Sequence, residues 1–225
     1  MRECYPHEKK LKTLVISSLL LLVASQASAL EKAEDYLLKG SQQVQKKNYQ
    51  EAIGNFQQAI KLDPKNSKAH LLLGLTYANT GDFDQAVKYS QNSITIEPTF
   101  AAYHNLGLIY ANKGEYEKAQ RAYEKALELN PSSYRAWYEL ALIHAGNDAG
   151  SGHFNEAIIS YKKVIEMNPQ FADAYLGLGA AFYWSGDKGS AEEMVRRLTS
   201  LKMKAKAAEL QNWIDDKESR KKEPA

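Results

Sequence analysis

A fixed period of about 34 residues constrains this chain more than any single motif. Small residues recur inside one set of helical patterns at Gly40, Gly74, Gly107, Ala141 and Gly179, spaced 34, 33, 34 and 38. Alanines recur in the following patterns at Ala52, Ala86, Ala119, Ala157 and Ala191, spaced 34, 33, 38 and 34. Pro64, Pro98, Pro131 and Pro169 close four of these units. Self-similarity at such a period means stacked supersecondary units that share one extended core, because no single unit can bury its own apolar face.

Within each unit the hydrophobic spacing is helical. Leu73, Leu75 and Tyr77 with Gly74 form one stripe, which Asn79-Thr80-Gly81-Asp82 interrupts. Phe83, Ala86, Val87, Ser90, Ile94 and Ile96 form the next, which stops before Pro98. The residue before each proline is pushed out of the helical region, so a proline ends the run. No segment sustains a two-residue alternation, and no sheet is expected. The fold class that follows is all-α, with about five stacked helix-turn-helix repeats and a C-terminal capping helix.

The residues resemble the tetratricopeptide repeat, and the resemblance implies that the repeats wind into a right-handed superhelical solenoid. The third unit carries the pattern most fully, with Tyr103, Leu106-Gly107, Tyr110, Gly114, Tyr116, Ala119, Tyr123, Ala126 and Pro131. The fourth has Trp137, Leu140-Ala141, Phe154, Ala157, Tyr161 and Pro169. In the second, Ser90 and Ser93 stand where an aromatic residue and an alanine are usual. The repeats fall near 33–66, 67–99, 100–133, 134–171 and 172–202. Residues 203–225 are expected to form a capping helix and a polar tail beginning at Lys217. Two departures interrupt the period. One residue is missing between Pro98 and Gly107, and four extra residues lie in the polar turn from Gly146 to His153.

Residues 1–29 read as a targeting segment. Arg2, Lys9, Lys10 and Lys12 precede a largely apolar run over residues 13–24, and Ala27-Ser28-Ala29 supplies the small residues that a signal peptidase reads. Twelve helical residues reach roughly 18 Å, short of the ~30 Å hydrocarbon core. The expectation is a cleaved signal ending near Ala29 and a secreted or periplasmic product. The alternative is a membrane tether, the segment being retained as an anchor. Residues 1–29 hold four of the 29 basic and two of the 27 acidic residues, so the remainder carries 25 of each. That balance gives no long-range attraction for nucleic acid. Membrane contact is expected through the N-terminal segment or not at all.

No catalytic or cofactor chemistry is expected. The single cysteine, Cys4, lies in the targeting segment, and no P-loop or G-x-S-x-G is present. His70 and His104 fall on first helices of adjacent repeats but lack metal-ligand spacing. The carboxylates are scattered over helix faces expected to be solvated.

The resemblance implies a different kind of site. In this family the first helix of each repeat lines a concave groove that holds a peptide or helix of a protein partner. By register, the groove residues are Leu71, Leu75 and Asn79; His104, Asn105, Leu108 and Asn112; Arg135, Tyr138 and Leu142; and Tyr183 and Trp184. Leu37, Ser41 and Val44 would extend the groove into the first repeat. Asn79 and Asn112 are expected to hydrogen-bond a partner backbone. The carboxylate clamp found in some members uses Lys, Asn and Arg at places that here hold mostly Leu, His and Tyr, with Asn105 and Arg135 its only suggestive matches. A clamp for acidic tails is therefore not expected.

Overall fold

The computed structural model describes residues 6–146 and 153–221. Among the described residues it is helical throughout apart from short turns, with no strand. Two compact units make up the chain, Met1–Pro98 and Thr99–Ala225.

The first unit holds α1 (Pro6–Gln45), α2 (Tyr49–Leu62), α3 (Ser67–Asn79) and α4 (Phe83–Ile96). Helices α1 and α2 pair as a hairpin, as do α3 and α4, and α2 packs on α3. Their core gathers Leu37, Ala52, Ile53, Phe56, Ala59, Ala69 and Leu73. Proline ends α2 and α4 as expected. Asp63 and Glu97, the residues before Pro64 and Pro98, take φ of −134° and −150° and leave the helical region. Asn66 and Asp82 then cap the next helices, accepting from the backbone N–H groups of Ala69 at 3.0 Å and Gln85 at 3.2 Å.

Helix α1 does not stop where a leader would end. It runs unbroken from Pro6 into the first repeat, and residues 14–28 are exposed. By length and composition, the stretch Leu14–Gln45 is sufficient to cross a membrane. The apolar run is therefore part of a longer helix and is not an isolated short segment.

The second unit holds α5 (Phe100–Asn112), α6 (Tyr116–Leu129), α7 (Tyr134–Ala145), α8 (Phe154–Met167), α9 (Ala172–Ser185), α10 (Lys188–Ser200) and α11 (Lys204–Lys221). Hairpins α5–α6, α7–α8 and α9–α10 stack through α6 on α7 and α8 on α9. The division between units falls where a residue is missing from the period. Thr99 caps α5 directly after Pro98, whereas Asn66 and Ser133 cap their helices two residues after their prolines. The insertion in the turn after α7 lies mostly at residues 147–152, outside the described residues.

The apolar stripe that follows Ala191 is split between two helices. Lys202 adopts a left-handed φ of 61°, which ends α10 and turns the chain so that α11 packs on both α9 and α10. Leu210 and Ile214 of α11 are fully buried, and Leu210 fills the space beside Gly179 that aromatic rings fill beside Gly40 and Gly107. The residues from Lys217 to Lys221, expected as a polar tail, are part of α11.

Candidate functional site

Three first helices begin the same way, and that start fixes what their faces present. Trp137 Nε1 donates to the Pro131 carbonyl at 2.9 Å, and the Tyr175 hydroxyl donates to the Pro169 carbonyl at 3.1 Å. In the second repeat His70 takes this place, its Nε2 lying 3.1 Å from the Pro64 carbonyl. A carbonyl accepts only, so Nε2 carries the proton, and the buried Nδ1 is left without a partner. His70 is therefore a structural donor in an aromatic position, 7% exposed. No group of three or more metal-ligating side chains is found among the described residues.

None of the twelve residues placed in the groove by register is fully buried. In the first unit Leu71 and Leu75 are half-buried on α3 and Asn79 is exposed at its end. Leu37 departs from expectation: it is 3% exposed, because it packs into the core with Phe56, Ala69 and Leu73. The Ser41 hydroxyl turns back to the Leu37 carbonyl at 2.9 Å.

The second unit brings more of the candidates together. His104, Asn105 and Leu108 are half-buried on α5, and Asn112 is exposed at its end. Asn112 spends its amide on its own helix, donating to the Leu108 carbonyl at 2.9 Å. Burial, assisted by the Arg135 charge, holds His104 below its ordinary pKa, while a side-chain hydrogen bond with Asn105 opposes this. His104 stacks on Phe100 at 5.5 Å and leans on Tyr123 at 5.7 Å. Arg135 lies 5.9 Å from the Tyr134 ring, and its Nε donates to the Tyr134 hydroxyl at 3.4 Å. Tyr138 meets Phe171 edge-on at 5.0 Å and Tyr161 at 6.1 Å. Leu142 is 41% exposed one turn further on. Tyr183 and Trp184 pair with each other at 5.4 Å near the end of α9.

Sequence reasoning missed Glu139. Unlike the solvated carboxylates expected on these helices, it is half-buried on α7, and burial raises its carboxyl above the usual range. Tyr123, Tyr138 and Tyr161 all feel its charge. Phe171 and Asp173 were missed as well, and Asp173 is paired with Lys206 of α11 at 2.5 Å. The signal available in the sequence was the place of Glu139 in an otherwise apolar and aromatic stretch, Trp137 to Ile143.

Stacked hairpins with accessible first-helix faces define a helical-repeat scaffold for protein–protein interaction. Models of the tetratricopeptide repeat match residues 40–81, 67–100, 101–133, 122–158 and 151–186, a run without a gap from 40 to 186. The chain belongs to the tetratricopeptide repeat family. A crystal structure of MamA protein superposes with a TM-score of 0.70 at 26% identity, over 77% of this chain and 93% of that one. YrrB, described as a TPR protein with an unusual peptide-binding site, superposes with a TM-score of 0.69 at 18% identity, over 83% and 97%. The latter likeness is one of fold. Small glutamine-rich tetratricopeptide repeat-containing protein 2 of Saccharomyces cerevisiae is 33% identical over 74 residues. That match covers 33% of this chain and 21% of the yeast protein.

Proposed function

We propose that the chain is an exported, non-catalytic adaptor that holds a peptide or helix of a partner protein on its first-helix faces, in the assembly of an envelope, pilus or secretion complex. The observation that carries the binding reading is accessibility. Every register-placed residue from Leu71 to Trp184 keeps part of its side chain in solvent. Large apolar and aromatic side chains held accessible on rigid helices suit burial by a partner. Export is supported by the basic start, the apolar run and Ala27-Ser28-Ala29.

The pull-down test uses the chain from residue 30 onward with Tyr138→Ala and Tyr183→Ala combined as a control. The expected result is a partner captured by the wild type and lost from the double variant, while deletion of residues 148–151 leaves capture intact. Capture that ignores the tyrosines and needs the deleted turn would overturn the groove assignment. Mass spectrometry of the N-terminus from native cells decides export, the expected start being Leu30.

A specific observation favours the second reading, a membrane-tethered assembly subunit. Helix α1 is continuous through the cleavage point, and its apolar side chains over residues 14–23 are all exposed. An intact N-terminus in the membrane fraction would establish that reading and exclude the first.

A further inference from the structure

We propose that the turn end of the α7–α8 hairpin is held by an acid-sensitive closure, in which a proton taken up by His144 releases the last turn of α7 from the start of α8. Its consequence for binding rests on the peptide-binding reading, because Leu142 lies on that same turn. The opening itself does not.

Four hairpins close with one shared hydrogen bond. The backbone N–H of the residue that caps the second helix donates to the carbonyl of a ring-bearing residue near the end of the first. Asp82 donates to Tyr77 at 3.0 Å, Glu115 to Tyr110 at 2.9 Å and Asp187 to Phe182 at 2.8 Å. In the fourth repeat the pair is His153 to His144, at 2.7 Å. In the other three the ring takes up no proton in acid, and the cap is a carboxylate, which suits the positive end of the helix that follows. Asp82 and Asp187 also accept from the backbone N–H groups of Gln85 and Ser190, at 3.2 and 3.0 Å. His153 makes no side-chain cap bond. Among the described residues this is the one hairpin end closed by two imidazoles, and they stand on either side of the inserted residues.

The surroundings of His144 leave no acceptor for a second proton. Its ring hydrogen-bonds the backbone of Glu156 on α8, while Nδ1 is buried without a partner. A proton added there makes a buried cationic N–H with nothing to receive it, which is costly. Opening the turn exposes Nδ1 to water, where that N–H is hydrated. The charged groups around the ring pull both ways. Glu156 of α8 and Glu124 of α6 favour the charged form, and His153 opposes it. Burial outweighs both carboxylates and holds His144 below its ordinary pKa. The closed hairpin therefore binds the proton less readily than the open one. The stability of the closure is fully present above the ordinary histidine pKa, about 6.5. It is lost as pH falls toward the lowered value.

Amide hydrogen exchange of the full chain, followed by NMR, tests this through protection factors, which divide out the intrinsic pH dependence. The His153 amide reports the closure. The Asp187 amide, in the same bond of the fifth repeat, is the internal control. Between about pH 7.5 and about pH 5.5 the His153 factor is expected to fall several-fold while that of Asp187 holds. In His144→Tyr, which carries the residue of the second and third repeats, the His153 factor should no longer fall. The wild-type His144 ring, titrated through its Cε1 proton, should have its midpoint below about 6.5. A His153 factor that holds in the wild type, or falls equally in His144→Tyr, would overturn the inference. So would a ring midpoint at or above about 6.5, a result that needs no folded variant. No readout involves a peptide, so the peptide-binding reading stands or falls on its own test.

Discussion

The α3–α4 hairpin of the first unit brings Gly74 against Ser90, whereas the α5–α6 hairpin of the second brings Gly107 against the ring of Tyr123. A Cβ added at Gly74 would lie 2.8 Å from the Ser90 hydroxyl and 3.1 Å from the Ala86 carbonyl oxygen. One added at Gly107 would lie 2.6 Å from the Tyr123 ring. The same crossing is thus packed in two ways. In the second unit a buried ring fills the space, and its hydroxyl comes under the influence of Glu139. In the first unit the aromatic residue is one position earlier, at Tyr89, where it stacks on Tyr77 at 5.6 Å and lies 5.9 Å from His70. The repeat keeps a close helix approach but leaves open which polar atom ends up beside it.

Substitution at Tyr123 should separate the two crossings most widely. Tyr123→Ala is expected to cost about 3–5 kcal/mol in urea unfolding, from lost burial and the cavity left behind. Next in size is Gly107→Ala, at about 1–3 kcal/mol, because a fully buried ring has little room to yield. The sign should reverse in the first unit. Ser90 is fully buried with an unpaired hydroxyl, so Ser90→Ala is expected to raise stability by about 1 kcal/mol. A loss on Ser90→Ala would mean that the hydroxyl has a partner and that the comparison is misdrawn.

A smaller, pH-dependent effect belongs to Glu139. Its folded-state carboxyl is raised by burial, so the folded chain holds that proton more tightly than the unfolded chain does. The associated stability is fully present below the unfolded carboxylate pKa, about 4.3, and is lost as pH rises through the raised value. Glu139→Gln suffers no such loss. Its stability relative to the wild type should rise from pH 4 to pH 7, which paired melts at the two pH values would show. A pH-independent difference would place Glu139 in ordinary solvent.

Much of this architecture could be read along the chain because local chemistry repeats with the period. Pro64, Pro98, Pro131 and Pro169 stop helices through sterics acting on the preceding residue, a constraint visible in two letters. Gly107 and Tyr123 are likewise legible, since a small residue facing a ring at a fixed separation needs no knowledge of other repeats. Glu139 is not, because its half-burial arises from packing between helices, which the letters of its own helix do not carry. For His70 the sequence shows only that metal-ligand spacing is lacking; its role as a donor to the Pro64 carbonyl depends on the fold. The break at Lys202 escaped notice because lysine carries no turn signal, and there the chain takes a left-handed conformation without glycine. Continuity of α1 through the expected cleavage point was equally illegible, since the small residues Ala27-Ser28-Ala29 are compatible with helix as well as with a peptidase.

The central claim is that the first-helix face of the second unit is where a partner peptide sits. Its most direct test is site-specific photo-crosslinking of a peptide, selected for binding to the chain from a displayed library, to a photoreactive phenylalanine analogue placed at Leu142, with the same analogue at Ile159 of α8, 59% exposed, as the comparison. The account predicts a crosslink from position 142 and none from position 159. Crosslinking from position 159 with none from position 142 would contradict it.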